Sequence, residues 1–322
     1  MRLGILGTAD IAFRRFLPAL QKCPEVEYAG VASRTPEKGQ AFKETFGGTI
    51  YPSYDALLDD ERIDAVYVPL PPALHFEWGK KALMAGKHVL LEKPFTTVQK
   101  ETEELLRLAE KNRLAVHENY MFLYHSQLKK VKELISDGSL GEIRLFRMSF
   151  GFPKRAENDF RYNKALGGGA LLDCGGYPTR LALELLGDST RVVQARLTQP
   201  EGYEIDLFGS AVLENDAGMC AQISFGMDNA YQCQLEVWGS KATLIAPRIF
   251  TAGAGYAPTL TLRSSSDETA IPLPADDQFL HSIETFIGVT KNPDAKNRLR
   301  IEKQTELVNS IRERSGLHDP IQ

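Results

Sequence analysis

The chain has 322 residues, a formal net charge of −4, and 43% hydrophobic and 25% charged residues. This length favours two domains, and these proportions are typical of a globular protein. The negative charge argues against nucleic-acid binding, for which the domain should be basic. No segment approaches the ~18 apolar residues of a membrane span. The four cysteines lack C-x-x-C or histidine pairing, so no metal site is predicted. The first predicted strand begins at Arg2 and leaves no room for a signal peptide, so we expect a cytoplasmic protein.

The amino-terminal segment has the pattern of a dinucleotide-binding turn. A predicted strand, Arg2 to Leu6, is followed by Gly7-Thr8-Ala9-Asp10-Ile11-Ala12 and by a predicted helix, Phe13 to Lys22. The turn matches G-x-G-x-x-G/A with Ala9 in the second glycine position. The N–H groups at the start of such a helix receive a pyrophosphate. We therefore expect all six residues of the turn to contact a cofactor.

The end of the second predicted strand indicates which cofactor is bound. Val26 to Ser33 should be this strand, and it ends in Ser33-Arg34 instead of the Asp or Glu that would bind a free ribose 2′-OH. An arginine suits a 2′-phosphate, and Lys38 follows closely. The alternative is that Arg34 is solvated at the start of a helix. We predict NADP(H).

A third apolar run, Ala65 to Val68, ends at Pro69-Leu70-Pro71-Pro72. These prolines should form a rigid loop over the nucleotide site. His75 follows at the start of the next predicted helix, Leu74 to Ala85. It either contacts the cofactor or caps this helix.

The stretch from His88 to Phe95 predicts a candidate catalytic residue. Val89, Leu90 and Leu91 form a short apolar run typical of a strand buried on both faces of a parallel sheet. Pro94 should end the strand and leave Lys93 at its carboxyl end, where ligands bind in open α/β sheets. A lysine there can polarise a carbonyl or transfer a proton. The alternative is a surface lysine that closes a strand.

The remaining pattern predicts two domains. Helix Val98 to Lys111 and strand Leu114 to Glu118 complete a doubly wound sheet, so we expect an NADP-binding Rossmann domain over 1–119. Residues 120–322 should form an α+β domain for substrate binding and oligomerisation. Its predicted strands resemble an antiparallel meander with one open face. They are Arg144 to Phe150, Arg191 to Thr198, Phe208 to Glu214, Gly218 to Phe225, Gln232 to Gly239, Ala242 to Ile245 and Thr259 to Arg263.

Two features of the second half bear on its surface. The basic run Lys296 to Arg300, before a helix predicted over Glu302 to Arg314, is predicted to be a solvated loop. The open face of the sheet would expose a large apolar patch, which monomers rarely do. We therefore expect a homodimer or homotetramer with sheets packed face to face.

A glycine-rich segment, Gly167 to Pro178, precedes a predicted helix. Asp173 and Tyr177 are four residues apart and would lie on one face of that helix. A carboxylate and a phenol facing a lysine form a plausible proton-transfer set. The alternative is a turn whose Asp173 is favoured by the helix dipole, which leaves Tyr177 unexplained.

These motifs resemble the glucose–fructose oxidoreductase / inositol dehydrogenase (Gfo/Idh/MocA) family. The resemblance is carried by Gly7 to Ala12, Glu92-Lys93-Pro94 and Gly167-Gly168-Gly169 with Asp173, Gly175 and Tyr177, and it covers nearly the whole chain. It implies a Rossmann domain, a second domain with a large open-faced and mainly antiparallel sheet, a nicotinamide cofactor, and redox chemistry on sugars or polyols.

The resemblance extends to one branch of the family. Many members carry His where this chain has Tyr177 and Asp where it has Arg180, whereas tyrosine is typical of branches that include the nucleotide-sugar 3-ketoreductases. The segments similar to this branch are Val68 to Pro71, Asn119 to Leu123, Gly169 to Asp173, and Phe225-Gly226-Met227 with Tyr231. Ser126 departs from the branch, which usually has proline there.

This branch implies that the protein reduces the C3 ketone of a nucleotide-diphospho-keto-deoxyhexose with NADPH. The alternative substrate is a free aldose or a cyclic diol, oxidised with NADP or in the manner of glucose–fructose oxidoreductase. A different class, a cofactor-sensing regulatory protein without catalysis, should have lost the Lys93–Tyr177 pair, and this chain has both residues.

The predicted site follows from the motifs and the resemblance together. The catalytic residues are Lys93 and Tyr177. The cofactor contacts are Gly7, Thr8, Ala9, Asp10, Ile11, Ala12, Ser33, Arg34, Lys38, Pro69, Leu70, His75, Glu92, Asn119 and Arg161. The substrate contacts are Lys93, Asp173, Tyr177 and Tyr231. Lys154, Arg155 and Arg161 are candidates to meet the substrate's diphosphate, although Arg161 also suits the cofactor and the other two also suit solvated loop positions.

Overall fold

The computed structural model describes residues 1–293 and 295–317. The chain divides into two compact units. The first contains Met1–Met121 and Phe279–Thr305. The second contains Phe122–Gln278 and the described residues from Glu306 onward.

The first unit is built on a six-stranded sheet with the order β3-β2-β1-β4-β5-β6, in which every pairing is parallel. Its strands are β1 (Arg2–Leu6), β2 (Glu27–Ala32), β3 (Thr49–Tyr51), β4 (Ala65–Val68), β5 (His88–Leu91) and β6 (Val116–Glu118). The predicted doubly wound sheet is confirmed. The strand order reverses between β1 and β4, and a ligand crevice is expected at the carboxyl ends of these two strands.

Two helices predicted above, Leu74 to Ala85 and Val98 to Lys111, are confirmed. Nine α-helices lie within the described residues. They are α1 (Leu17–Leu20), α2 (Pro36–Phe46), α3 (Tyr54–Leu58), α4 (His75–Met84), α5 (Gln99–Asn112), α6 (Ser126–Ser136), α7 (Gly176–Leu186), α8 (Gln278–Lys291) and α9 (Ala295–Arg314). A π-helical turn, Ala12–Phe16, leads into α1. In α5 the buried residues Thr102, Leu105, Leu106 and Ala109 form one apolar stripe, which explains why this otherwise charged segment is a helix.

The second unit is built on an eight-stranded sheet with the order β14-β13-β12-β11-β7-β10-β9-β8. Its strands are β7 (Ile143–Gly151), β8 (Arg191–Thr198), β9 (Phe208–Glu214), β10 (Cys220–Gly226), β11 (Gln232–Gly239), β12 (Ala242–Pro247), β13 (Thr259–Ser264) and β14 (Glu268–Pro272). The predicted large, mainly antiparallel sheet is confirmed.

The expectation of a simple meander was wrong. Strand β7 lies between β10 and β11, parallel to the first and antiparallel to the second. The short connection from β10 to β11 passes the end of β7, where Gly151 pairs with both Gly226 and Gln232. Long-range insertion of this kind leaves no periodic signal in the sequence, because each strand alternates in the same way whichever neighbour it has.

One further local prediction was wrong, and two strands were missed. Strands β3 and β14 were not predicted. The basic run Lys296 to Arg300 is helical, within α9, and not a solvated loop. Two polar side chains of this run form hydrogen bonds within the first unit: the Asn297 amide donates to the Val116 carbonyl (2.7 Å), and Arg298 donates to Glu110 (2.9 Å).

Among the described residues, no helix combines the length and the apolar character needed to cross a membrane.

The open face of the second sheet is also different from the expectation. Inward positions such as Phe146, Met148 and Ile223 are buried, and the outward positions between them are mostly serine, glutamine and arginine. Exposed hydrophobic residues on these strands include Val193, Phe208 and Trp238. The outward face is therefore a mixed polar surface and not the large apolar patch that was expected. It carries a depression of about 420 Å³ lined by residues that include Ser149, Gln194, Arg196, Ser210, Gln222 and Ser224.

Candidate functional site

The turn after β1 meets the loop after β4. Gly7 has a positive φ of 103°, and its N–H donates to the Ala32 carbonyl (2.9 Å). A Cβ on Gly7 would lie 2.7 Å from Cδ2 of Leu70, so only glycine lets these two segments approach as they do. The Ala9 carbonyl accepts from the N–H groups of Ala12 (3.1 Å) and Phe13 (3.3 Å) and starts the helical segment. The turn therefore fits a dinucleotide pyrophosphate at the predicted place.

The other residues of this turn and loop range from buried to solvent-exposed. Thr8, Ala9 and Ile11 are partly buried, whereas Ala12 and Pro69 are buried. Asp10 is exposed and forms an ion pair with Arg14 (2.7 Å). The acidic side chain therefore points its charge toward an arginine of the next helical turn.

The end of β2 offers positive charge. Ser33 is buried, and its hydroxyl donates to the Thr35 carbonyl (2.8 Å) and accepts from the Thr35 N–H (3.1 Å). Arg34 and Lys38 are exposed, and no carboxylate in the described part of the chain forms an ion pair with either. The two cations are thus available to an anion, while the serine side chain is engaged in its own turn.

A polar network fixes the residue before Lys93. Oε1 of Glu92 accepts from the Tyr67 hydroxyl (2.6 Å) and from the Asn119 amide (2.6 Å). The Asn119 side-chain carbonyl accepts in turn from the Ser282 hydroxyl (2.8 Å). Burial raises the pKa of Glu92, and the hydrogen bonds from Tyr67 and Asn119 oppose this effect. Lys93 itself lies just beyond β5, is partly buried, and follows the predicted strand directly.

His75 connects the two loops at this edge of the sheet. Its ring is fully buried, with Nδ1 2.8 Å from the Pro94 carbonyl oxygen and Nε2 2.8 Å from the Leu70 carbonyl oxygen. Burial lowers the pKa of His75, and the two carbonyls oppose this effect. The predicted capping role was wrong, because α4 begins at His75 with Leu74 as its N-cap. Both ring nitrogens face carbonyls of the chain, and contact with the cofactor stays a prediction.

In the second unit, Arg161 and Asp173 lie together. The Arg161 Nε donates to Asp173 (2.8 Å), and its Nη1 donates to Asp159 (3.2 Å). Burial lowers the pKa of Arg161, but the carboxylates of Asp173 and Asp159 outweigh burial and the net pKa is raised. Two carboxylates therefore balance the charge of Arg161. Sequence reasoning missed Asp159, which also accepts from the Arg161 backbone N–H.

Tyr177 lies in an aromatic cluster. Its ring centroid is 5.0 Å from that of Phe150, 5.9 Å from Phe122 and 6.0 Å from Phe250. Asp173 belongs to a π-helical turn, Leu171–Gly175, whereas Tyr177 is in the first turn of α7. The helical segment predicted for both residues is therefore a π-helical turn followed by an α-helix, and their shared face stays a prediction.

The glycine-rich segment is held by a residue that the sequence did not indicate. A Cβ on Gly168 would lie 2.4 Å from the Arg161 carbonyl oxygen, and one on Gly169 would lie 2.5 Å from Oδ1 of Asp206. The Asp206 carboxylate accepts from the Leu171 N–H (2.7 Å). Burial raises the pKa of Asp206 to about 6, although this hydrogen bond opposes it. Asp206 thus supports the start of the helical segment that carries Asp173 and Tyr177.

Tyr231 is 45% exposed and has an arginine over its ring. The guanidinium carbon of Arg248 lies 5.5 Å from the ring centroid of Tyr231 and 5.5 Å from that of Tyr256. The Tyr231 hydroxyl is 3.4 Å from that of Thr251. Sequence reasoning proposed Tyr231 and missed Arg248, which follows a strand without any motif around it.

The fold and these sites define a class of two-part oxidoreductases with a dinucleotide-binding sheet. A family model described as "Oxidoreductase family, NAD-binding Rossmann fold" matches residues 1–120, and a Gfo/Idh/MocA carboxy-terminal domain model matches residues 128–245. The chain belongs to the Gfo/Idh/MocA oxidoreductase family. The resemblance stated from the motifs is confirmed.

Individual relatives are similar to this chain over nearly their whole length. A dTDP-3,4-didehydro-2,6-dideoxy-alpha-D-glucose 3-reductase of Streptomyces violaceoruber is 40% identical over 98% of this chain and 96% of that protein. An NADP(+)-dependent D-xylose 1-dehydrogenase of Haloferax volcanii is 32% identical over 97% and 95%. The crystal structure of a 3-ketoreductase from Actinomadura kijaniata with NADP and TDP-benzene matches with a TM-score of 0.95 and 40% identity over 98% and 97%.

Proposed function

We propose that this protein reduces the C3 ketone of a dTDP-linked keto-deoxyhexose and uses NADPH as the reductant. The observation that carries the proposal is the 40% identity to a dTDP-sugar 3-reductase across nearly the full length of both chains. The sequence also carries Lys93, Tyr177 and the turn from Gly7 to Ala12, which are the residues predicted for this chemistry. We place the enzyme in the cytoplasm.

The first unit holds the cofactor in this proposal. The turn from Gly7 to Ala12 receives the pyrophosphate, and Arg34 and Lys38 bind the 2′-phosphate because neither has an ion-pair partner in the described part of the chain. When bound, NADPH supplies the hydride to the carbonyl carbon. Glu92 and Asn119 stay predicted cofactor contacts, and the hydrogen bond from the Asn119 amide to Oε1 of Glu92 orients both side chains.

Lys93 and Tyr177 are the residues that we assign to proton transfer to the carbonyl oxygen. As the ketone becomes an alcohol, its oxygen gains negative charge and must receive one proton. We assign this transfer to the Tyr177 hydroxyl or the Lys93 ammonium, each of which can donate a hydrogen bond to the developing oxyanion. Asp173 accepts from a sugar hydroxyl, since a carboxylate that accepts from Arg161 has several acceptor positions. Arg161 orients that carboxylate.

The substrate test compares two reactions. We expect NADPH oxidation with a dTDP-4-keto-deoxy sugar and little NADP reduction with D-xylose or D-glucose. Turnover of free aldoses alone would reject the nucleotide-sugar assignment and favour a reaction like that of the xylose dehydrogenase relative.

The catalytic test uses Lys93→Ala and Tyr177→Phe. Each should lower kcat by about 10²–10⁴-fold, because general acid–base catalysis typically raises the rate by a factor of this size. The Kd for NADPH, measured by fluorescence titration, should change little. A variant that keeps near-normal turnover would remove its residue from the mechanism.

We also propose a homodimer or homotetramer that packs the open faces of the second sheet together. The support is the depression of about 420 Å³ on that face together with the exposed Phe208 and Trp238. The polar outward residues would make this interface wetter than an apolar one. Light scattering at micromolar concentration should give a mass of at least two chains, and a monomer would reject the assembly.

A further inference from the structure

The second unit carries an arginine whose charge is not balanced by the chain. Arg248 is exposed, and no carboxylate in residues 1–293 or 295–317 forms an ion pair with it. Arg161, in contrast, is paired with two carboxylates. Of these two arginines, Arg248 is the one with positive charge to offer an anion.

The chain holds Arg248 in an uncommon conformation. Its φ is +51°, in the left-handed region that residues other than glycine and asparagine rarely adopt. The neighbouring backbone is fixed by two contacts: the buried Gln127 amide donates to the Arg248 carbonyl (3.2 Å), and the Ile249 N–H donates to the Cys233 carbonyl (3.2 Å). An observed backbone outlier held in this way points to a functional constraint.

The guanidinium is framed by two aromatic rings. Tyr231 and Tyr256 each lie 5.5 Å from it, within the range of a cation–π contact. Such contacts fix the plane of the guanidinium and leave its N–H groups to bind a phosphate in a bidentate manner. The side chain is therefore pre-organised and not a freely moving surface arginine.

Arg248 is also close in the chain to the aromatic cluster around Tyr177. Phe250, two residues later, packs against the Tyr177 ring at 6.0 Å between centroids. Two extended residues span at most about 7 Å. The backbone of this unpaired cation is therefore close to a residue that packs on the ring of the proposed proton donor.

We propose that Arg248, framed by Tyr231 and Tyr256, binds the diphosphate of the nucleotide-sugar substrate and selects it over a free sugar. This inference rests on the proposed function. It favours Arg248 over Lys154 and Arg155 as the main diphosphate contact. Lys154 lies over one ring (Tyr203, 5.5 Å) and so does Arg155 (Phe152, 4.9 Å), whereas Arg248 is framed by two rings.

The test measures dTDP and thymidine as competitive inhibitors and by calorimetric titration. Arg248→Asn removes the charge and keeps a residue that tolerates positive φ, and Arg248→Lys keeps the charge without the planar fork. Arg263→Gln, at an exposed arginine paired with Glu268, is the matched control. We expect Arg248→Asn to weaken dTDP binding about 10- to 100-fold, the usual value of a charge-assisted contact. The dTDP affinity of Arg248→Lys should lie between those of the wild type and Arg248→Asn. The affinity of the control, Arg263→Gln, should equal that of the wild type.

The outcomes separate the two proposals. Unchanged dTDP affinity in Arg248→Asn, with dTDP-sugar turnover by the wild type, would overturn the role of Arg248 and leave the proposed function standing. Equal weakening of dTDP and thymidine would overturn the assignment to the diphosphate. Loss of dTDP affinity in Arg155→Gln but not in Arg248→Asn would assign the diphosphate contact to Arg155 instead of Arg248. A wild-type protein that binds no dTDP would overturn the proposed function together with this inference.

Discussion

Replacing Asp206 with asparagine should remove a pH-dependent destabilisation of the second unit. Burial raises the pKa of this carboxyl from its ordinary value of 3.8 to about 6. Because the folded protein binds the proton more tightly than the unfolded chain, the favourable contribution is complete below about pH 4 and is lost as the pH rises through 6. The ionised carboxylate above pH 6 is the unfavourable form.

The magnitude follows from the two pKa values. A difference of about two pH units corresponds to about 3 kcal/mol, which is an upper limit because Asp206 is only partly buried. The hydrogen bond from the Leu171 N–H favours the ionised carboxylate and is already included in the raised pKa of about 6. About 2 kcal/mol of this effect falls between pH 4.5 and pH 7.5, equal to roughly 4–8 °C in Tm for a unit of this size.

Scanning calorimetry of the wild type and Asp206→Asn at these two pH values measures the effect. Asparagine keeps an oxygen that accepts from the Leu171 N–H and does not ionise. The Tm of the variant, relative to the wild type, should therefore increase between pH 4.5 and pH 7.5. Asp267→Asn, at an exposed carboxylate of the same unit, is the control and should show no such increase. Parallel Tm curves for Asp206→Asn and the wild type would refute the reasoning.

Three further predictions concern the first unit. Arg34→Ala should lower the preference for NADPH over NADH about 10- to 100-fold in kcat/KM, and an unchanged ratio would contradict the 2′-phosphate assignment. Tyr67→Phe removes a donor to Glu92 and should lower the free energy of unfolding in urea by about 1–3 kcal/mol. His75→Ala leaves a buried carbonyl of Leu70 or Pro94 without its donor and should cost at least a similar amount, so an unaltered urea midpoint would argue against the link.

The parallel sheet and its edge could be predicted from the sequence because their signals are local. A strand buried on both faces is a continuous apolar run, as in Val89 to Leu91, and a following proline ends it. The same local chemistry placed Gly7 in a turn that needs positive φ. Parallel strands align their carboxyl ends, so the sequence alone assigns Gly7 and Lys93 to one edge of the sheet.

The remaining parts depend on contacts between distant residues. Asp206 supports Leu171 across a separation of 35 residues, and nothing near Asp206 in the sequence marks that contact. A role for Arg248 can be inferred only from its contacts with Tyr231 and Tyr256, which lie beside it in the fold. His75 follows the proline-rich loop in the sequence, but its two carbonyl neighbours could not be predicted from spacing.

The central position of β7 has a consequence for how the protein folds during synthesis. Strand β7 ends at Gly151 and its first partner, β10, begins at Cys220, so β7 leaves the ribosome about 70 residues before it can pair. Strands β8, β9 and β10 form consecutive hairpins and can assemble early. Closing so long a segment costs entropy before any pairing energy returns, which should slow the docking of β7. Until then its alternating apolar side chains are exposed to chaperones or to other unfinished chains.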